Sequence, residues 1–234
     1  LAENRRVIYG RRRGKPLRAA RQHLADTLLP RLRLDLPVEP AEQLDPDTLF
    51  DRPMRDLWLE VGFGAGEHLA AQARAHPDIG FIGAEPYFTG VARLLSYIDE
   101  FALDNVRILN DDAGMLLRTL PDRCLGRAFL LFPDPWPKKR HHKRRFINPA
   151  NLEQMARVLK DGALWRMASD DMSYCRWMLA HMTTHPAFQW SARRPDDWRQ
   201  RPEDWPQTRY EQKAIAQGRR PAYLSFRRLD RTNA

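Results

Sequence analysis

The sequence predicts an α/β protein, a seven-stranded and mostly parallel sheet with helices on both faces. Three observations predict it. Short apolar runs alternate with helix-length amphipathic runs from residue 56 to residue 182, the pattern of βαβ units around a buried parallel sheet. Four of the apolar runs carry or lead into an acidic residue, Glu60, Glu85, Asp112 and Asp134, and open α/β sheets bind ligands at such strand ends. Two further strand-like runs close the chain and are suited to pair antiparallel.

The elements follow in order. Residues 1–21 carry eight Lys or Arg against one Glu and read as a basic, mobile arm. Residues 17–29 have a helical apolar rhythm. Residues 35–53 hold four prolines and several acids, so they form a linker or an irregular wrap. Strands are expected at 56–62, 79–85, 106–110, 127–132 and 163–168, and helices at 66–76, 88–101, 112–120, 151–160 and 171–182. The last strands are 188–193 and 222–228, separated by a Trp-rich loop and a candidate helix. The chain thus divides into an arm, short helix and Pro-rich linker over 1–53 and an α/β domain over 54–234.

Charge narrows the partner. The net charge is +9, of which residues 1–21 supply +7 and residues 138–145 supply +6, so the remaining chain carries −4. Two concentrated basic blocks on a mildly acidic body point to a polyanion; the plainer alternative is solvated charge that aids solubility. No run of 18 apolar residues suggests a membrane helix, and no apolar stretch behind the basic N-terminus suggests a secretory signal. Cys124 and Cys175 lie far apart without metal-ligand spacing, which fits reduced, structural cysteines in a cytoplasmic protein. The histidines lack partners at ligand spacing, so no metal site is expected.

Residues 59–66, LEVGFGAG, follow a strand and open a helix. Gly62, Gly64 and Gly66 let the backbone turn tightly and admit a ligand close to the main chain. Glu60 stands two residues before the first of them, where a carboxylate repels phosphate and attracts a cation. S-adenosylmethionine, with a sulfonium and an ammonium, suits that mouth better than a dinucleotide; a packing turn with no ligand is the alternative. Glu85, 19 residues beyond Gly66, is placed to accept ribose hydroxyls, or is an ordinary strand-end Glu. In NDDA, Asp112 is placed beside an adenine edge and Asp111 as a helix cap.

Residues 132–145, FPDPWPKKRHHKRR, set Asp134 between two prolines and beside six Lys or Arg and two His. With LEVGFGAG, IGAEP, DDA, MASDD and TRYE in one order, this signature resembles that of the bacterial tRNA (guanine-N7)-methyltransferase family, from about residue 5 to the C-terminus. The resemblance implies a Rossmann-like class I methyltransferase fold whose last strand is antiparallel. It implies methyl transfer from S-adenosylmethionine to N7 of the variable-loop guanine of tRNA, position 46, by a monomer or homodimer. It implies that Glu60, Glu85, Asp112 and Asp134 contact the cofactor, with the three glycines, and that Asp134 is catalytic. Lys138, Asp170, Thr208, Arg209, Tyr210 and Glu211 match substrate-contacting positions. His141 and Arg144 match positions needed for activity. The stretch GRRRGKPL resembles the family's basic N-terminus. Two departures are small: Ser169 stands where Thr is familiar, and GAEPY replaces a more usual GIE run.

The lone carboxylate beside so much positive charge then has a rationale. Guanine N7 has an in-plane lone pair and no proton to lose, so positioning matters more than a general base. Asp134 is expected to stabilise the charge developing on the purine or to orient its edge. The basic run is expected to hold phosphates, which give affinity and register, while Pro133, Pro135 and Pro137 stiffen the turn. The target nucleotide is expected to open or flip locally. Trp136 packs or stacks on a base. Tyr210 and Trp198 are stacking platforms or core residues. Glu211 or Asp170 reads the guanine edge, unless Glu211 pairs with Arg209 or Lys213. The loop 197–205 is a candidate gate, and His142 is expected at the surface. Three rivals are weighed: a small-molecule methyltransferase, disfavoured by the basic blocks; an RNA-binding scaffold without catalysis, disfavoured by the retained carboxylates and glycines; and a DNA amino-methyltransferase, disfavoured because the turn lacks a tyrosine after DPWP.

Overall fold

A computed structural model describes residues 12, 14, 16–37 and 42–231. Most of the basic arm, including residues 1–11, 13 and 15 of its arginine-rich stretch, lies outside the described residues.

Seven strands form one sheet in the order β3-β2-β1-β4-β5-β7-β6. They are β1 (Asp56–Val61), β2 (Ile79–Ala84), β3 (Val106–Leu109), β4 (Leu125–Leu131), β5 (Leu159–Ser169), β6 (Phe188–Trp190) and β7 (Ala222–Arg228). Neighbours are parallel from β3 through β5. Only β7 runs antiparallel to its neighbours, to β5 on one side and β6 on the other. The strand order reverses between β1 and β4. At that switch point the carboxyl ends of the strands part and leave a crevice.

Helices cover both faces. On one face α1 (Ala19–Thr27), α2 (Leu29–Leu32), α3 (Glu67–Ala75) and α4 (Phe88–Glu100) bury Ala25, Leu29, Leu69, Val91 and Leu94. On the other, α5 (Ala113–Thr119), α6 (Pro149–Val158) and α7 (Met172–Thr184) bury Leu116, Leu117, Leu152, Met155, Tyr174 and Met178. Two short helices, α8 (Asp196–Arg199) and α9 (Arg209–Ala216), lie between β6 and β7. Both sheet faces are therefore dry, which is why β1 and β2 read as near-continuous apolar runs rather than alternating ones.

The segment ahead of β1 is tied to the body. Arg33 bridges to Ile108, the amide of Leu34 donates to the Ile108 carbonyl at 2.8 Å, and Phe50 is buried in the core. Several boundaries differ from expectation: β4 starts at Leu125 rather than 127, β5 at Leu159 rather than 163, and β6 stops at Trp190 rather than 193. The helix expected to run to Lys160 ends at Val158, and β5 starts at once at Leu159. No glycine cap is needed there, because distant arginines take the last carbonyls. Arg228 Nε donates to Ala156 at 2.9 Å, and Arg231 Nη2 donates to Ala156 and Arg157, each at 2.7 Å. Among the described residues no helix is long and apolar enough to cross a membrane, and no group of three or more His, Cys, Asp or Glu could hold a metal ion. Both cysteines are free, and burial raises the Cys124 thiol to about 12 and the Cys175 thiol to about 11, which leaves them inert as nucleophiles.

Candidate active site

A cleft of about 600 Å³ opens at the carboxyl ends of β1, β2 and β4. Its floor is the glycine turn between β1 and α3. Gly62, Gly64 and Gly66 have φ of 67°, 59° and 82°, a region costly for residues with a Cβ. A Cβ on Gly66 would lie 2.7 Å from Leu94 Cδ1, and one on Gly64 would lie 3.1 Å from Tyr210 Cε2, whereas nothing stands within 4 Å of one on Gly62. Gly66 is therefore needed for packing, and Gly62 turns its bare backbone toward open space.

Four carboxylates line the cleft, Glu60, Glu67, Glu85 and Asp134. Glu60, at the end of β1, is only 2% exposed, and its Oε2 lies 2.7 Å from His68 Nδ1. Glu85, just past β2, accepts from the backbone amides of Gly64 at 2.9 Å and Tyr87 at 2.8 Å. Burial pushes its pKa up to about 7 against the pull of those two amides, and the charges of Asp134 and Glu60 push the same way. Asp134 follows β4 and has no hydrogen-bond or ion-pair partner among the described residues. Its side chain is solvent-accessible, yet the cleft walls strip away enough water that desolvation raises its pKa.

The backbone holds Asp134 in an unusual turn. Phe132 and Trp136, two residues either side of it, adopt φ of 49° and 44°, a left-handed conformation that persists only where the surroundings enforce it. The amide of Phe132 donates to Ala168 at 2.8 Å, and Arg145 Nε donates to the Pro135 carbonyl at 3.0 Å. The three prolines stiffen the stretch between these anchors.

The basic run folds as a 3₁₀-helix, Lys139–Arg144. Three residues per turn align side chains three apart and sort the run by face. His141 and Arg144 meet Trp136, the His141 ring edge-on at 6.0 Å and the Arg144 guanidinium over the indole at 4.8 Å. His142 and Arg145 turn inward to Trp177, at 5.2 Å and 5.0 Å. Arg140 and Lys143 face solvent, as do Lys138 and Lys139. Two expectations are corrected here. His142 is half-buried rather than at the surface, because Trp177 offers it a ring to pack on. Arg145, only 2% exposed, is a structural anchor and not free to hold phosphate.

Thr208, Arg209 and Tyr210 form the cleft's far wall. Thr208 caps α9, its Oγ1 accepting from the Glu211 amide at 3.2 Å. Arg209 pairs with Glu67 at 2.8 Å, and Tyr210, 52% exposed, lies over Gly64. Burial raises the Tyr210 phenol, helped by the charges of Glu85 and Asp134. Glu211 points into the protein, 2% exposed, where it accepts from Tyr223 Oη at 2.5 Å and pairs with Arg201 at 3.1 Å. Its partner is therefore neither Arg209 nor Lys213. Asp170 pairs with Arg219.

The cleft thus brings together Glu60, Gly62, Gly64, Glu85, Asp134, Arg144, Thr208, Arg209 and Tyr210. Gly66, Asp112, Lys138, His141, Asp170 and Glu211 do not line it. Asp112, rather than Asp111, is the cap of α5, accepting from the Gly114 amide at 2.6 Å, and Asp111 is buried and pairs with Arg12 at 3.5 Å. Trp198 packs against the core beyond the cleft, and Trp205, 2% exposed, anchors the loop beneath. That loop is pinned by Gln72 Nε2 to the Asp204 carbonyl and by Arg166 to the Asp204 carboxylate, both at 2.7 Å. Sequence reasoning missed His68 and Arg145. His68 gave no signal beyond a polar residue early in a helix, and Arg145 was hidden among other cations.

The residues fit S-adenosylmethionine. The cleft volume falls within the roughly 300–1,000 Å³ usual for small-ligand sites. Its glycine backbone is open at Gly62, and Glu85 and Asp134 have no ion-pair partner among the described residues, which suits a ligand carrying a sulfonium and an ammonium.

Comparison with known proteins agrees. A family model described as "Putative methyltransferase" matches residues 54–223. The tRNA (guanine-N(7)-)-methyltransferase of Rhodospirillum rubrum is 58% identical over 96% of this chain and 88% of its own. That of Chelativorans sp. is 50% identical over 95% of each. Among solved structures, the 16S rRNA methyltransferase KamB superposes with a TM-score of 0.57 at 16% identity, over 76% of this chain and 90% of its own. A 16S rRNA (adenine(1408)-N(1))-methyltransferase variant from Catenulisporales acidiphilia, solved with S-adenosylmethionine, gives 0.54 at 14% over 86% and 100%. These two share the fold. On the sequence matches, this chain belongs to the tRNA (guanine-N7)-methyltransferase family.

Proposed function

We propose that the protein methylates N7 of guanine 46, in the variable loop of tRNA, with Asp134 as the catalytic residue. The observation that carries this reading is the unpartnered Asp134 carboxylate in the cleft, flanked by a 3₁₀-helix whose outer face is cationic. When bound, S-adenosylmethionine supplies an electrophilic methyl group that the N7 lone pair accepts by in-line displacement. Since N7 has no proton to lose, the chain's residues position and stabilise rather than deprotonate. Glu85 takes the ribose hydroxyls and Glu60 the ammonium. Asp134 holds the guanine and meets the positive charge that grows on the ring, an interaction stronger in the transition state than in the ground state. Lys138, Lys139, Arg140 and Lys143 hold tRNA phosphates and set register without reading sequence. Tyr210, exposed beside Gly64, is placed to stack on the opened nucleotide.

The test is methyl transfer from labelled S-adenosylmethionine to unmodified tRNA transcripts, followed by cleavage at N7-methylguanine. One cleavable guanine in the variable loop is expected, and none when that guanine is replaced by adenine. Tight tRNA binding with no label transferred would favour an RNA-binding scaffold instead.

A further inference from the structure

The Glu60–His68 pair has a feature that packing does not explain. His68 is the second residue of α3, and the glycine turn brings its side chain back beneath the tip of β1. Both side chains are almost wholly buried, at 1% exposure for His68 and 3% for Glu60. An ionised carboxylate only accepts, so with Glu60 charged the 2.7 Å contact is a hydrogen bond donated by Nδ1–H. The other nitrogen, Nε2, is then buried with no partner among the described residues. The ring is fixed from outside by Phe129, at 4.6 Å and edge-on, and by Trp205 at 5.8 Å.

A buried carboxylate and a half-satisfied imidazole cost stability that an apolar pair of similar volume would not. The arrangement makes sense if the carboxylate must point one way. With Oε2 tied to His68, the second oxygen of Glu60 is the one left to the cleft that Glu60 lines.

We propose that His68 is a positioning residue for the cofactor: its Nδ1–H fixes the Glu60 carboxylate so that the free oxygen meets the ammonium of S-adenosylmethionine. The proposal rests on the cofactor placement given above. It assigns His68 to the amino-acid end of the cofactor and not to the adenosine end, and this makes it testable against a merely structural role.

Calorimetric titration with two ligands separates the two. S-adenosylmethionine carries the ammonium; 5′-methylthioadenosine keeps the adenosine and sulfur and lacks the amino-acid part. His68→Leu removes the donor and keeps bulk. It should weaken S-adenosylmethionine by about tenfold to a hundredfold, the range expected for losing a hydrogen bond that serves a charged group, and leave 5′-methylthioadenosine unchanged. His68→Asn, which restores an N–H donor near Nδ1, should recover most of the loss. Equal weakening of both ligands by His68→Leu, with Asn no better than Leu, would make His68 a packing residue and overturn the proposal. Unchanged affinity for S-adenosylmethionine would overturn it too. Failure of the unaltered protein to bind either ligand would remove the cofactor placement itself, and the proposal with it.

Discussion

Glu85 shows at a single residue how burial and function pull against each other. Its pKa of about 7 lies well above the ordinary 4.5 because burial disfavours the charge, although two backbone amides favour it. Between those values the folded protein keeps a proton that the unfolded chain has released. The neutral side chain's stability is thus fully present below pH 4.5 and lost as pH rises through 7, a change of roughly 3 kcal/mol. In the proposed reading both oxygens of Glu85 accept from the ribose hydroxyls, an arrangement only the carboxylate offers, so cofactor binding near neutrality is expected to expel that proton. We predict that the binding heat of S-adenosylmethionine at pH 6.5 changes with the buffer's ionisation enthalpy, that affinity rises with pH through 7, and that Glu85→Gln abolishes both effects. A buffer-independent heat would show that Glu85 does not change ionisation on binding. The neighbouring acids mark the limit of reading residues singly. Two adjacent aspartates offered two roles, and the sequence alone had no means to tell that Asp112 takes the cap and Asp111 the buried ion pair.

Among the elements, the 3₁₀-helix Lys139–Arg144 carries the most information. In the sequence its cations are equivalent, and only the three-residue repeat sorts them. Arg145 is held by the Pro135 carbonyl, by Ser173 Oγ at 3.3 Å, and by the rings of Tyr174 and Trp177, whereas Lys143 is exposed. Arg145→Ala should therefore cost about 2–4 kcal/mol of stability, since it removes a buried donor and leaves a cavity. Lys143→Ala should leave the melting temperature unchanged, weaken tRNA binding, and lower the slope of log affinity against log salt by about 1. Equal effects of the two on stability would refute the sorting by faces. The stretch TRYE was ambiguous in another way. The spacing that matches substrate-contacting positions is also that of a capping box, and the structure shows Thr208 capping α9 while Glu211 is drawn inward by Tyr223 and Arg201. Of the four, Arg209 and Tyr210 are exposed in the cleft, Arg209 paired with Glu67 and Tyr210 open to a substrate.

For the whole molecule, the sheet was legible because both its faces are buried, so strands such as β1 and β2 appear as apolar runs that no other element would tolerate. The strand-end carboxylates were legible for the same reason: a charge at the end of such a run needs a task. Less visible were features made by contacts far apart in the chain. The abrupt passage from α6 to β5 depends on Arg228 and Arg231, about 70 residues away. The setting of Glu60 depends on His68, Phe129 and Trp205. At this scale the labour divides, in the proposed reading: the cleft lined by Glu60, Glu85 and Asp134 is assigned the chemistry, and the cationic helix beside it the RNA. The most direct test measures both properties on one set of proteins, as single-turnover methyl transfer at saturating tRNA together with tRNA affinity, for the unaltered protein, Asp134→Asn and Lys143→Ala. The account predicts that Asp134→Asn loses at least about a hundredfold in rate with its affinity for tRNA retained, and that Lys143→Ala loses affinity with its rate retained. Transfer by Asp134→Asn at the unaltered rate would contradict it.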